Sequence, residues 1–174
     1  HEYRAPLAGH IELAVAQFDD VAEGDLLFSL DSPDWRRVQH EAVEAEGEIK
    51  IAGATLQVAK SRLREAEASH AIAKQRLDGL AAVNVRKADL EAEAASLGAS
   101  LNRLQAEVDA ASATLEEAEE HYLSRLRTLA SITTLTMDQL LAPNGTNGHY
   151  WRSIDALNVR AAQAGVVEAV SVNQ

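Results

Sequence analysis

A seven-residue repeat constrains this chain more than any other feature. The positions Val38, Ala42, Ala45, Ile49, Ala52, Leu56, Ala59, Leu63, Ala66, His70, Ala73, Leu77 and Leu80 follow a strict 4-3-4-3 spacing, and 12 of the 13 are apolar. A second series, Leu90, Ala94, Leu97, Leu101, Leu104, Val108, Ala111, Leu115, Ala118 and Tyr122, keeps that spacing at all ten positions. An apolar period of 3.5 residues held over so many turns is a coiled-coil seam. Its large members are Leu56, Leu63 and Leu77 in the first series, and Leu97, Leu101, Leu104 and Leu115 in the second. The 33 Ala residues of the chain let two such helices approach closely. The series meet at residues 79–87, and a connection this short turns the chain back, so the helices are expected to run antiparallel. The spacing predicts helices over 34–80 and 86–132, each roughly 65–70 Å long at 1.5 Å per residue.

The two ends read differently. Residues 1–33 hold short apolar runs, at 3–5, 10–16 and 26–30, broken at 6–9 and 22–25. Residues 157–172 read as strand, turn, strand. The ends also repeat each other. Arg4, Ala5, Ala8, Gly9 and Glu12 recur as Arg160, Ala161, Ala164, Gly165 and Glu168, at a constant offset of 156. A repeated strand–turn–strand unit split by a helical hairpin predicts one small β-domain of two halves, with the hairpin leaving from its edge. The second copy stops at Gln174, where the first runs on through 18–31, so the chain reads as part of something longer. Residues 133–156 break the heptads. A short helix is expected near 136–141, and Pro143-Asn144-Gly145-Thr146-Asn147-Gly148 is a loop signal. This stretch reads as a flexible connection.

Charge narrows the function. The chain has 16 basic and 27 acidic residues, net −11, which disfavours nucleic acid and anionic lipid as partners. Residues 34–130 are highly charged but nearly balanced, as a solvated helical surface is. There is no Cys and one Met, and the six His form no H-x-x-x-H or HExxH pair, so no metal site is expected. His70 on the seam reads as a tolerated or register-setting polar residue. The run Glu116, Glu117, Glu119, Glu120 reads as a solvated face. No P-loop, G-x-S-x-G or G-x-G-x-x-G is present. We therefore expect no enzyme, no catalytic residue and no cofactor. No apolar run reaches the ~18 residues of a membrane span, and the N-terminal residues lack the pattern of a signal peptide.

Tyr3-Arg4-Ala5-Pro6-Leu7-Ala8-Gly9-His10-Ile11-Glu12, followed by Val21-Ala22-Glu23-Gly24-Asp25-Leu26-Leu27-Phe28-Ser29-Leu30-Asp31, resembles half of a lipoyl domain. The match is to the periplasmic adaptor proteins, or membrane fusion proteins, of the HlyD type. Val159-Arg160-Ala161-Ala162-Gln163-Ala164-Gly165-Val166-Val167 is similar to the returning half, with Ala162 where the family has Pro. Ser32-Pro33-Asp34-Trp35, with Gln39 and Glu41, is similar to the hairpin opening of the heavy-metal resistance–nodulation–division adaptors. The resemblance implies an α+β fold: a long antiparallel coiled-coil hairpin inserted between two halves of a lipoyl-like β-domain. The expected layout is a first half at 1–33, a hairpin at 34–132 with its tip near 79–87, a connection at 133–156 and a second half at 157–174.

The resemblance also implies a role. Such adaptors sit in the periplasm, attached to the inner membrane, and self-associate into a ring. They join an inner-membrane transporter to an outer-membrane channel, and the hairpin tip docks on the channel. At the tip the family carries an Arg, a Leu four residues later and a Ser opening the second helix. Arg76 and Leu80 match the first two; Arg86, next to Lys87, stands near the Ser position after a one-residue gap. Arg76, Leu80, Arg86 and Lys87 are therefore the candidate docking residues. Two other readings compete. A structural coiled coil unrelated to efflux would have no need of the end-to-end repeat. A lipoate or biotin carrier would need a Lys in the turn between the halves, yet no Lys occurs before Lys50 or after Lys87.

Overall fold

A computed structural model describes residues 2–79, 87–145 and 148–170. The elements in chain order are β1 (His10–Leu13), β2 (Asp20–Val21), β3 (Leu26–Asp31), α1 (Pro33–Gly79), α2 (Lys87–Thr133), α3 (Met137–Leu141), a 3-10 turn (Tyr150–Ser153), β4 (Leu157–Arg160) and β5 (Gly165–Val166). The protein is thus a long helical pair with a small sheet part. It divides into two compact units, residues 1–44 with 123–174 and residues 45–122.

In the first unit β3 is the central strand of an antiparallel sheet ordered β1-β3-β4. His10 pairs with Asp31 and Leu13 with Phe28 on one side; Leu30 pairs with Leu157 and Phe28 with Val159 on the other. Between Leu26 and Phe28 the register against β4 shifts by one residue. That bulge allows Leu27 and Phe28, neighbours in sequence, both to be buried. They join Ala161 in a core flanked by Ile11, Val15, Val21 and Val159. A second ladder pairs β2 with β5, Asp20 opposite Val166.

The turn before β3 is fixed by β4. Gly24, at φ +89°, donates its N–H to the Ala161 carbonyl (2.8 Å) and accepts from Arg160 Nη1 (2.9 Å). The two glycines of the repeat are not equivalent. A Cβ on Gly9 would run into the Asp31 carbonyl and lie 2.9 Å from Ser32 Cα, so β1 enters the sheet only without a side chain there. A Cβ on Gly165 meets nothing within 4 Å. Residues 3–5, expected as a strand, form none. Both edges of β3 are already taken by β1 and β4, and Tyr3 instead accepts the Ala162 N–H on its phenol oxygen (2.7 Å).

Ser32 starts α1. Its hydroxyl donates to the Ala8 carbonyl (2.7 Å) and accepts the Trp35 N–H (3.4 Å), while Pro33 takes the first helical position. Trp35 has no exposed surface. Its indole N–H donates to the Ile154 carbonyl (3.0 Å), and Gln39, one turn on, donates to the carbonyls of Trp151 (3.0 Å) and Ile154 (2.9 Å). The opening turns of α1 therefore clamp the segment that precedes β4. The stretch at 133–156, expected as a flexible connection, is thus hydrogen-bonded to α1 at Trp151 and Ile154. The segment carries α3, capped reciprocally by Thr136 and Gln139, an isolated bridge between Pro143 and His149, and the buried Leu140 and Trp151. Two apolar anchors and a capping box hold it down. Residues 146 and 147 of the loop signal lie outside the described residues.

The second unit consists of two helical stretches, 45–79 of α1 and 87–122 of α2. Leu56, Ala59 and Val108 are buried together, with Leu63, Ala111 and Leu115 packed on them. Two contacts fix direction and level. His121 Nδ1 lies 3.0 Å from Glu48 Oε2, and a Cβ on Gly98 would lie 3.9 Å from His70 Nε2. Moving up α1 from Glu48 to His70 thus goes with moving down α2 from His121 to Gly98, so the stretches are antiparallel. A Cβ on Gly98 would thus make only ordinary contact with the imidazole, and a Cβ on Gly53 meets nothing within 4 Å. Gly53→Ala should stabilise the helix by about 1 kcal/mol, read as a rise of roughly 2–4 °C in the thermal midpoint. A fall in the midpoint would mean that the glycine is needed.

Candidate functional site

The tip of the helical pair is the site singled out by the sequence. Arg76 lies in the last turn of α1 and is exposed. A cation there is favourably placed against the negative end of the helix dipole, and Asp89 in the first turn of α2 has the matching relation to the positive end. Part of the tip's charge pattern is accounted for by this alone. Leu77 and Leu90 are half-buried, and a Cβ on Gly79 meets nothing within 4 Å. Leu80 and Arg86 lie outside the described residues, as does the Lys87 side chain; Lys87 opens α2.

The seam leucines fall as follows. Leu56 is buried, and Leu63, Leu77, Leu97, Leu101, Leu104 and Leu115 are half-buried. Small Ala partners, in a unit whose described residues form only two helical stretches, leave the edges of the larger side chains open to solvent. In heptad letters, with the seam at a and d, Glu48 and Thr55 of α1 and Thr114 and His121 of α2 are g positions. They meet across one flank of the pair, lining a shallow groove with Ile51 and Glu117. Contact of g with g, rather than g with e, belongs to antiparallel helices.

Among the described residues no three His, Asp or Glu side chains gather in a way that could hold a metal ion. The Arg37 guanidinium is held above its ordinary range. It is raised by a hydrogen bond to Asp34 and by the charge of Glu41, at the solvent-facing start of α1. No described helix is long and apolar enough to cross a membrane.

No family model matches the sequence, and no curated protein matches it. Among solved structures the chain is similar to ZneB from Cupriavidus metallidurans, with 22% identity and a TM-score of 0.39. The likeness covers 92% of this chain and 48% of that one, so the chain spans about half the length of the protein it matches.

Proposed function

We propose that the chain is the hairpin-bearing part of a periplasmic adaptor in a tripartite efflux or secretion system. In this reading it binds rather than catalyses. It links an inner-membrane transporter to an outer-membrane channel and assembles with further copies of itself. The observation that carries the reading is topological: β3, which leads into α1, pairs directly with β4, which follows α2. The helices are therefore an insertion into one sheet unit, the arrangement implied by the adaptor-like motifs at 3–31 and 159–167. A lipoyl-like identity for that unit, and a place in the periplasm at the inner membrane, belong to the same reading. A plain coiled coil needs neither the paired halves nor the Gly9 close approach that seats β1 on the end of β3.

The docking role falls to the tip. Arg76 and Leu80 are four residues apart in the sequence, the spacing of the family's tip motif. An apolar groove at the channel's end would receive Leu80, while Arg76 meets carbonyls or carboxylates there. Arg76→Asp in the full-length protein should abolish export in cells, yet leave the helical circular dichroism and thermal midpoint close to wild type. Cross-linking from a Cys placed at Gly79 to the channel should fall in parallel. Wild-type export with undiminished cross-linking would remove the tip from the mechanism and leave the chain as a scaffold.

A further inference from the structure

Two turns of the first unit are built alike. In Ala16-Gln17-Phe18-Asp19 the Asp19 N–H donates to the Ala16 carbonyl (3.2 Å), and the Asp19 carboxylate accepts the Ala16 N–H (2.7 Å). In Ala22-Glu23-Gly24-Asp25 the Asp25 N–H donates to the Ala22 carbonyl (3.2 Å), and the Asp25 carboxylate accepts the Ala22 N–H (2.8 Å). Each turn is also tied to the returning chain by a pair of bonds. Phe18 donates to the Val167 carbonyl and Val167 to that of Asp19; Gly24 donates to the Ala161 carbonyl and Ala161 to that of Asp25. The third residue has positive φ in both, +73° at Phe18 and +89° at Gly24. A turn with positive φ at its third position alone is of type II, and that position belongs to Gly. The second turn obeys the rule and the first breaks it with one of the largest side chains.

Packing does not repay the strain. Phe18 is 74% exposed, so its ring gains little from the fold that holds its backbone in the left-handed region. Val166, on the strand that pairs with Asp20, is exposed as well. The surroundings are acidic. Residues 10–21 hold Glu12, Asp19 and Asp20 and no Lys or Arg, and residues 161–170 hold Glu168 and no Lys or Arg. The place is also set by the sheet. β1 runs from His10, opposite Asp31 just before α1, to Leu13, opposite Phe28. The turn at 16–19 follows, so Phe18 stands at the end of the sheet away from the start of α1.

We infer that Phe18 is an aromatic anchor that the turn at 16–19 presents to the inner-membrane transporter, where it enters an apolar pocket rimmed by Lys or Arg. The contact rests on the proposed function and names the surface through which the first unit meets that partner. A rigid turn holding one large ring clear of the surface suits a pocket better than a flat face, and buried aromatic anchors carry much of the binding energy of protein interfaces. Asp19, Asp20 and Glu168 select a basic rim. The same acids repel an anionic lipid surface, and they repel the equivalent turn of a second copy. The channel is already served by the tip in this reading.

Phe18→Gly separates a binding role from a structural one. It should raise the thermal midpoint by roughly 2–4 °C, because the strained position then carries its proper residue. In the full-length protein it should nonetheless lower export in cells about tenfold or more, as loss of an anchor does, and Phe18→Tyr should keep most of it. The partner is read by replacing Phe18 with the photo-reactive p-benzoyl-L-phenylalanine, which keeps an aromatic ring on the turn. Irradiated cells should give a cross-link to the transporter, mapped by mass spectrometry to a peptide bearing Lys or Arg, and Asp20→Lys should lower its yield several-fold. A lower midpoint or unchanged export for Phe18→Gly would overturn the inference, as would a cross-link only to lipid, to the channel or to a second copy. The Cys placed at Gly79 keeps the two readings apart. If it reaches the channel while position 18 misses the transporter, this surface fails and the adaptor reading stands; if neither position finds its partner, both fail.

Discussion

Trp35→Ala should destabilise the first unit by about 3–5 kcal/mol, the range for truncating a fully buried Trp. The side chain has no exposed surface, and its N–H is a direct tie between the start of α1 and the Ile154 carbonyl. Its removal opens a large cavity beneath the segment that leads into β4. The thermal midpoint should fall by roughly 10 °C or more, followed through the fluorescence of the remaining Trp151. Gln39→Ala provides the scale. It removes two hydrogen bonds to the same segment but leaves the indole in place, so a loss of about 1–2 kcal/mol is expected. A Trp35→Ala midpoint within a degree or two of wild type would show that the clamp does not hold the segment.

Leu56→Asp is expected to cost about 3–5 kcal/mol in the second unit, because it places an unpaired charge against Ala59 and Val108. No cation is available on the seam to meet it, so the helices must part locally or the carboxylate must take up a proton. Far-ultraviolet circular dichroism should show earlier loss of helix on heating. Gln57→Asp, one residue along on the exposed surface, introduces the same charge and should change the midpoint by less than about 0.5 kcal/mol equivalent. Equal effects at 56 and 57 would mean that the seam is misassigned.

The helical pair was legible because its signal is redundant. Twenty-three seam positions carry one period, and losing any one of them, as at His70, leaves the pattern intact. The α1 start was nearly legible as well: Ser32-Pro33 spells a cap followed by a first-turn proline, although the second job of the Ser32 hydroxyl, binding the Ala8 carbonyl, has no sequence mark. The strands were harder. β2 and β5 are two residues each, too short for any alternation to show, and they exist only because the chain brings Asp20 opposite Val166. In the 133–156 stretch Pro, Asn and Gly announce a loop and are silent about anchoring. Thr136 and Gln139 spelled a capping box, and Trp151 is a costly residue to leave in water; together they were the available signal. The tip remains the least legible part. Its proposed function depends on a few side chains with no period to support them, and the helix dipole already gives Arg76 a reason to be there.

The pairing of β3 with β4 ties the order of folding to the seam. Between Asp31 and Leu157 lie 125 residues, and closing a free loop of that length would cost about 4 kcal/mol of chain entropy before any ladder bond formed. The helix pair removes most of that search. Contacts near its turn, such as His70 with Gly98, are close in sequence, and each further turn of zipping adds only a few residues before the next contact, out to Glu48 with His121. A chain that zips in this way delivers β4 to the waiting edge of β3 by a series of short closures instead of one long one. Until the zipper is complete, that edge stands unpaired and open to strands of other chains. Defects in the seam therefore act at a distance: they slow the closure of a sheet they never touch and lengthen the time its open edge is available for aggregation.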